Sequence, residues 1–381
     1  MNTDLSLIMD VMKEIEQIED HRVEANKEYD LADIIFLTIA AVLCGATGWK
    51  AINIFGEAQL DWLRQYRPFS NGIPTRHSIG RIIRGVKAES MMSCFINFSN
   101  TLRERDGKEH ISFDGKVACG SKHGDNVAAL QLMTAMVVDN GLIIRQKETS
   151  TKTNEIPVMQ SMLKHMDIEN AVITADAMHC QKETTALIRE GKGDYVLQVK
   201  KNQGKLLAEI EAYFHKCYRD TPELLKKNHF TELDGEHGRI NERHYRLLPI
   251  TNWFDETAKF VGSHAVVEVT RMRELKNKSS QETSYYITSL ASDVKDIAKY
   301  IRKHWAIENS QHWVLDVTFK EDACKIYADD GAKNLAIIRR KILNLVKSHS
   351  SKDSVAGKMQ RACWDAKFRA EILFGEYFIK A

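Results

Sequence analysis

The 381-residue chain has no C-x-x-C pair among its seven cysteines, no long apolar run and a formal net charge of only +2. Each shortage excludes something. Scattered cysteines, odd in number, make poor material for a disulfide framework or a zinc ribbon and point to a reducing compartment. The most apolar stretch, IIFLTIAAVLCGA (34–46), is 13 residues long. A bilayer-spanning helix needs about 20, so this length suits a buried helix instead. The N-terminal MNTDLSLIMDVMKEIEQIED is too acidic for a secretory or organellar signal. A cytoplasmic protein is expected. Near-neutral charge gives no whole-chain argument for nucleic acid, so local clusters must carry any such case. Internal repeats, low-complexity segments and long linkers are also missing.

Apolar content of 43% and charged content of 28% fit a globular chain with a full core. Residues 1–105 read as helical. LADIIFLTIAAVLCGA is a buried helix with Asp30 or Asp33 near its start. AINIFGEAQLDWLRQY has helical spacing and stops before Pro68. GIPTRHSIGRIIRGV (72–86) starts at Pro74 and Thr75 and carries Arg76, Arg81 and Arg84 at helical spacing. The pattern changes near residue 108. HISFDGKV reads as a strand, and ALQLMTAMVVDNGLIIRQKET as a hairpin turning at Asp139-Asn140-Gly141. NEIPVMQSMLKHM looks helical, capped by Asn154. NAVITADA is an apolar strand of the kind covered on both faces. QKETTALIREGK, DYVLQVKKNQ and GKLLAEIEAYFHKCY follow as helix, strand and helix. The expected fold is therefore α/β, a mixed sheet flanked by helices.

Composition and pattern divide the chain into a helical domain (1–105), an α/β domain (106–220 and 291–350), a β-rich insertion (221–290) and a basic helical tail (351–381). Between Lys333 and Ala370 the only acids are Asp353 and Asp365, so Lys333, Arg339, Arg340, Lys341 and Lys347 read as a second basic patch.

The chemistry lies with carboxylates. Asp114 ends the first strand and Asp176 ends AVITAD. Two acids at neighbouring strand ends can converge on one site, and hard divalent cations want oxygen ligands. A third acid would have to come from a packed element. YIRKHWAIENSQHWVLDV offers Glu308, with Tyr300, His304 and His312 at four-residue spacing on one helix face. H-E-x-x-H spacing is missing, so zinc is poorly supported. Trp305 and Trp313 flank this face; packing against the sheet is their plainer role, and stacking on a base the other.

These motifs identify a family. The chain resembles the DDE transposases of bacterial insertion sequences, in the H-repeat-associated group. The resemblance is carried by DHR (20–22) with the L-x-DI helix after it, GIPTRHSIGRII, FDGK (113–116), K-x-NEIP (152–157), TADAMHCQK (174–182), Y-x-L-x-VK-x-NQG (195–204) and IRKHWAIENSQHWVLDVTFKEDACKI (301–326). It implies an RNase H-like catalytic domain with Asp114, Asp176 and Glu308 as its acids. It also implies Mg²⁺ as cofactor, with Mn²⁺ able to substitute, and a helical domain that binds DNA. The implied partners are terminal inverted repeats and target DNA, held by a homodimer or larger assembly in a nucleoid-associated cytoplasmic setting. DNA contacts are expected from Lys116, Arg76, Arg81, Arg84, Lys200, Asn202, Arg302, His304, Trp305, Asn309, His312, Arg339 and Arg340. The wider superfamily's Y-x₂-R-x₃-E-x₆-K pattern is not met, because those slots hold Ile301, His304 and Leu315. Two other classes are weighed against this one. A DNA-binding relative without catalysis would share every motif. A small-molecule phosphatase would need an acid two residues from Asp114, where Ser112 and Lys116 stand.

Overall fold

The computed structural model describes residues 12–105, 107–123, 128–149, 155–236, 239–251, 254–275 and 278–375. In chain order its main elements are α1 (Leu31–Leu43), α2 (Trp49–Ala58), α3 (Arg76–Arg84), α4 (Ala88–Thr101), β1 (Glu109–Ala118), β2 (Leu130–Val137), β3 (Leu142–Thr149), α5 (Glu155–Leu163), β4 (Ala171–Ala175), α6 (Lys182–Glu190), β5 (Asp194–Val199), α7 (Gly204–Asp220), β6 (His229–Glu236), β7 (Arg239–Pro249), β8 (Ala265–Leu275), β9 (Lys278–Thr288), α8 (Val294–His304), α9 (Gly331–Ser348), α10 (Val355–Trp364) and α11 (Ala366–Phe374). Among the described residues the strands follow the order β3-β2-β1-β4-β5-β9-β8-β7-β6. β1, β4 and β5 run parallel, whereas β2–β3 and β6–β9 are antiparallel. This is the mixed sheet with flanking helices that the sequence pattern leads one to expect.

Contacts gather the chain into two compact units. Unit one comprises residues 1–104, 115–152 and 308–381; unit two comprises 105–114 and 153–307. In unit one, α1 is apolar all round and all of its residues are buried. The Asp30 carboxylate caps it by accepting from Asp33 N–H at 3.1 Å. Asp33 itself is buried, and Arg67 Nε donates to it at 2.9 Å. α3 begins as expected, with Thr75 Oγ1 accepting from Ser78 N–H at 3.3 Å. Its Ile79, Ile82 and Ile83 face the core while Arg76 and Arg81 stay exposed. The β2–β3 turn passes through Gly141 at φ +69°, where a side chain would be strained. Asn154, expected to cap α5, lies outside the described residues.

α9 overturns an expectation. Its basic run reads as a surface patch, but Asn334 through Val346 are all buried. Arg340 Nη1 and Nη2 donate to Glu321 at 2.8 and 3.3 Å. Arg339 lies 3.8 Å from the same carboxylate. Arg339 and Arg340 are therefore core ion-pair partners and not DNA contacts. The physical reason is that α9 is apolar on every side, so its one basic turn goes inward with the rest and is matched by a buried acid.

In unit two, β4 is buried along its whole length, which explains its unbroken apolar sequence. The 221–290 segment does not stand apart, because β9 pairs with β5 from Val196↔Thr288 to Val199↔Tyr285. α8 starts at Asp293, whose carboxylate accepts from Asp296 N–H at 2.8 Å. It lays Ile297, Ala298 and Ile301 against Val172, Val196 and Val267 of the sheet. That packing fixes where the last turn of α8 delivers its side chains.

Candidate active site

The site begins with a register. β1 and β4 pair in parallel through Ser112↔Thr174 and Phe113↔Ala175. Asp114 and Asp176 are the next residues on each strand, so they lie side by side on chains about 4.8 Å apart. One expectation is corrected: Asp114 does not end its strand, since β1 continues to Ala118. β4 does stop at Ala175, and Asp176 starts a short 3₁₀ turn.

Residues two apart on a strand share a face, so His110, Ser112 and Asp114 lie together, as do Thr174 and Asp176. α8 covers that face and adds His304. Its Nδ1 lies 3.0 Å from Ser112 Oγ and 3.1 Å from Thr174 Oγ1. Thr174 Oγ1 also lies 2.8 Å from His110 Nε2. The other nitrogen of His304, Nε2, sits 3.7 Å from Asp176 Oδ1. The imidazole holds the Asp176 carboxyl below its ordinary range, against the opposing effect of burial, and the Lys200 charge assists. The carboxylate is half exposed, at 50%. It is thus an ionised, oriented and reachable oxygen donor. His179, just beyond it, is buried and pushed down to about 4 by desolvation, so its imidazole is neutral near pH 7.

The recess bounded by Thr174, Asp176, Gln198, Tyr286, His304 and Trp305 holds only about 10 Å³. Small-molecule sites occupy roughly 300–1,000 Å³. The acid faces open surface, which suits a polymeric substrate and not an enclosed phosphate ester.

Glu308 is the first residue of a π-helical turn, Glu308–His312, and is exposed. Such turns interrupt the α-helical phase, so the common face expected for Tyr300, His304, Glu308 and His312 is not maintained. His312 is half-buried and pushed down to about 3 by desolvation and by the Arg340 and Lys116 charges, so its imidazole is neutral near pH 7. Among the described residues, no group of three or more His, Cys, Asp or Glu side chains could hold a metal ion. Within unit two the donor set is the Asp114–Asp176 pair, whose hard oxygens fit a divalent cation such as Mg²⁺.

The other expected contacts divide by accessibility. Lys116 is buried, with Nζ 2.6 Å from Asp316 and 3.5 Å from Asp322, so the expected phosphate contact is replaced by a structural one. Arg302 is bound to Asp234 at 2.8 Å. Asn202 Nδ2 donates to Ala177 O at 2.9 Å, bracing the turn after Asp176. Lys200 and Asn309 are exposed, and Arg84 is half-buried. Trp305 and Trp313 are 42% and 58% exposed, so neither is packed away as its plainer role required. Ser112 and Thr174 were not anticipated. Their signal was present: I-S-F-D and I-T-A-D repeat one pattern, a hydroxyl two residues before each acid in an otherwise apolar strand.

Known proteins are similar to this chain. The family described as DDE_Tnp_1-associated matches residues 12–99, and the Transposase DDE domain family matches residues 103–345. The chain is 33% identical over 372 residues to "Putative transposase YncI" of Escherichia coli O157:H7, covering 96% of this chain and 95% of that one. It is equally 33% identical to "H repeat-associated putative transposase YhhI" of Escherichia coli K12, covering 96% and 98% of the two chains. A cryo-EM structure of a piggyBac transposase synaptic complex with hairpin DNA aligns with a TM-score of 0.49 at 14% identity, over 97% of this chain and 79% of that one. Among the described residues no helix is long and apolar enough to cross a membrane. The chain belongs to the DDE transposase family, in its H-repeat-associated group.

Proposed function

We propose that the protein binds the terminal inverted repeats of its insertion sequence, cleaves DNA strands at the element ends and joins the freed 3′-hydroxyl to target DNA. It would act as a homodimer or larger assembly when holding two ends. The observation that carries this reading is the Asp114–Asp176 register, two acids next to one another on adjacent parallel strands in a chain of the DDE transposase family. Asp114 and Asp176 are the residues that would hold Mg²⁺, or Mn²⁺ in its place, with Glu308 the third acid that the family resemblance implies. When bound, the metal supplies charge stabilisation and activation of the attacking oxygen in phosphoryl transfer. His304, itself held by Ser112 and Thr174, keeps the Asp176 carboxylate oriented and ionised. Lys200 and Trp305, exposed beside Asp176, are the groups placed to meet a phosphate and a base.

The test is cleavage of a plasmid carrying the DNA that flanks the reading frame. Asp114→Asn, Asp176→Asn and Glu308→Gln should each abolish cleavage in Mg²⁺ or Mn²⁺ while leaving duplex binding near wild type. Cleavage at the wild-type rate in Asp114→Asn would place the chemistry elsewhere. Wild-type binding without any cleavage would mark a DNA-binding relative that lacks catalysis.

A further inference from the structure

We propose that the groove between α2 and α3 is a seat for the sugar-phosphate backbone of duplex DNA. This deepens the function proposed above and rests on it. The groove encloses about 570 Å³, and its lining includes Trp49, Lys50, Ile54, Arg76, His77 and Arg84. Among the described residues, no carboxylate lines it.

The cations here differ from several others on the surface. Lys27, Lys226 and Lys299 each have an acid at 2.6–2.9 Å. Among the described residues, Lys50, Arg76 and Arg84 make no ion pair. Arg76 Nε instead lies 3.2 Å from His77 Nε2, and Arg84 Nε donates to Gly80 O at 3.1 Å. Cations gathered without counter-charge repel one another, and a polyanion relieves that repulsion while releasing its own condensed counterions. A chain whose net charge is only +2 must concentrate positive charge in this way to hold DNA.

The shape of the groove is equally specific. A Cβ at Gly80 would sit 3.0 Å from Trp49 Cδ1, so the glycine is what lets α3 close on the indole. Ile54, 53% exposed, offers an apolar contact for deoxyribose. Gly48, also in the lining, begins α2 without a side-chain cap. The first amide groups of that helix therefore add donors and the positive end of its dipole to the cationic set. Arginine can also reach base edges, so a duplex of arbitrary sequence isolates the backbone contact proposed here. Arg81, exposed on the same helix, lies outside the groove lining.

The experiment is a salt titration of the full chain against a labelled duplex of about 30 base pairs and arbitrary sequence, followed by fluorescence anisotropy. Lys50→Gln with Arg76→Gln should lower the slope of log K against log salt by about 2, and lower affinity at about 0.1 M salt on the order of 10- to 100-fold. Both side chains are exposed, so the variant should melt like wild type. Lys50→Arg, which keeps the charge, should retain affinity. Lys226→Gln with Lys299→Gln serves as the control and should change neither quantity. Wild-type slope and affinity in the groove variant overturn the groove while leaving the proposed function standing. An equal loss in the control also overturns it, because the effect would then be general charge. Failure of the wild-type chain to bind any duplex overturns the proposed function itself.

Discussion

Replacing Arg340 by alanine should unfold unit one, not loosen DNA. The side chain is fully buried, and both of its terminal nitrogens donate to Glu321, itself 2% exposed. After the substitution Glu321 would keep Arg339 at 3.8 Å as its nearest cation. Removing one member of a buried pair costs about 3–5 kcal/mol. With a urea slope near 2 kcal/mol per molar, the unfolding midpoint should fall by roughly 1.5–2.5 M. Removing both charges, with Arg340→Met and Glu321→Leu, should bring the midpoint back close to wild type, because no uncompensated charge remains. The pH dependence provides a second check. Burial acts to raise the Glu321 carboxyl, but the Arg340 and Arg339 charges outweigh it and hold the group below its ordinary value of 4.5. A depressed carboxyl stabilises the fold above its unfolded-state value and loses that contribution as pH falls through the folded one. The difference between wild type and Arg340→Ala should therefore be full at neutral pH and narrow in acid. A variant with the wild-type urea midpoint and a DNA salt slope reduced by about 1 would return Arg340 to the surface and refute this reasoning.

Three further outcomes follow. Lys116→Met should destabilise by about 1–2 kcal/mol in urea, since it leaves Asp316, whose carboxyl burial already raises, without its 2.6 Å partner; duplex affinity should not change. Gly120→Ala should lower the thermal midpoint, because its Cβ would clash with the Asp322 carbonyl oxygen and stand 2.6 Å from Cys324 O, a backbone clash costing about 1–3 kcal/mol. His304→Ala should slow single-turnover strand cleavage by roughly 10- to 100-fold without weakening duplex binding; an equal loss of both would make the histidine a DNA contact and not a support for Asp176.

Much of this was legible because the signals are local. An apolar run set the depth of α1, Thr75 announced the start of α3, and the β-branched AVITA could only be a strand covered on both faces. The acids were legible through motifs, and the face they share followed once Ser112 and Thr174 stood in register. Position along an element was less secure. Nothing in FDGK says that β1 runs on for four residues beyond Asp114, because that depends on which strands lie alongside. The π-helical turn at Glu308 has no composition of its own to announce it.

The basic run of α9 was misread for a different reason. Counting charges along a helix assumes that a polar face exists to hold them. In NLAIIRRKILNLV the apolar residues leave no such face, since Leu335, Ile338, Ile342 and Val346 wrap the helix together with Ala336, Ile337, Leu343 and Leu345. A single turn of Arg339, Arg340 and Lys341 in that setting goes inward, and the guanidinium of Arg340 meets an acid there. The acid is Glu321, beyond the loop that precedes α9, and Lys116 depends in the same way on Asp316 and Asp322. FKEDACKI therefore supplies counter-charges to the interior of unit one. The positive charge that remains free for DNA must be sought where acids are missing, and among the described residues of unit one the groove of Lys50, Arg76 and Arg84 is such a place.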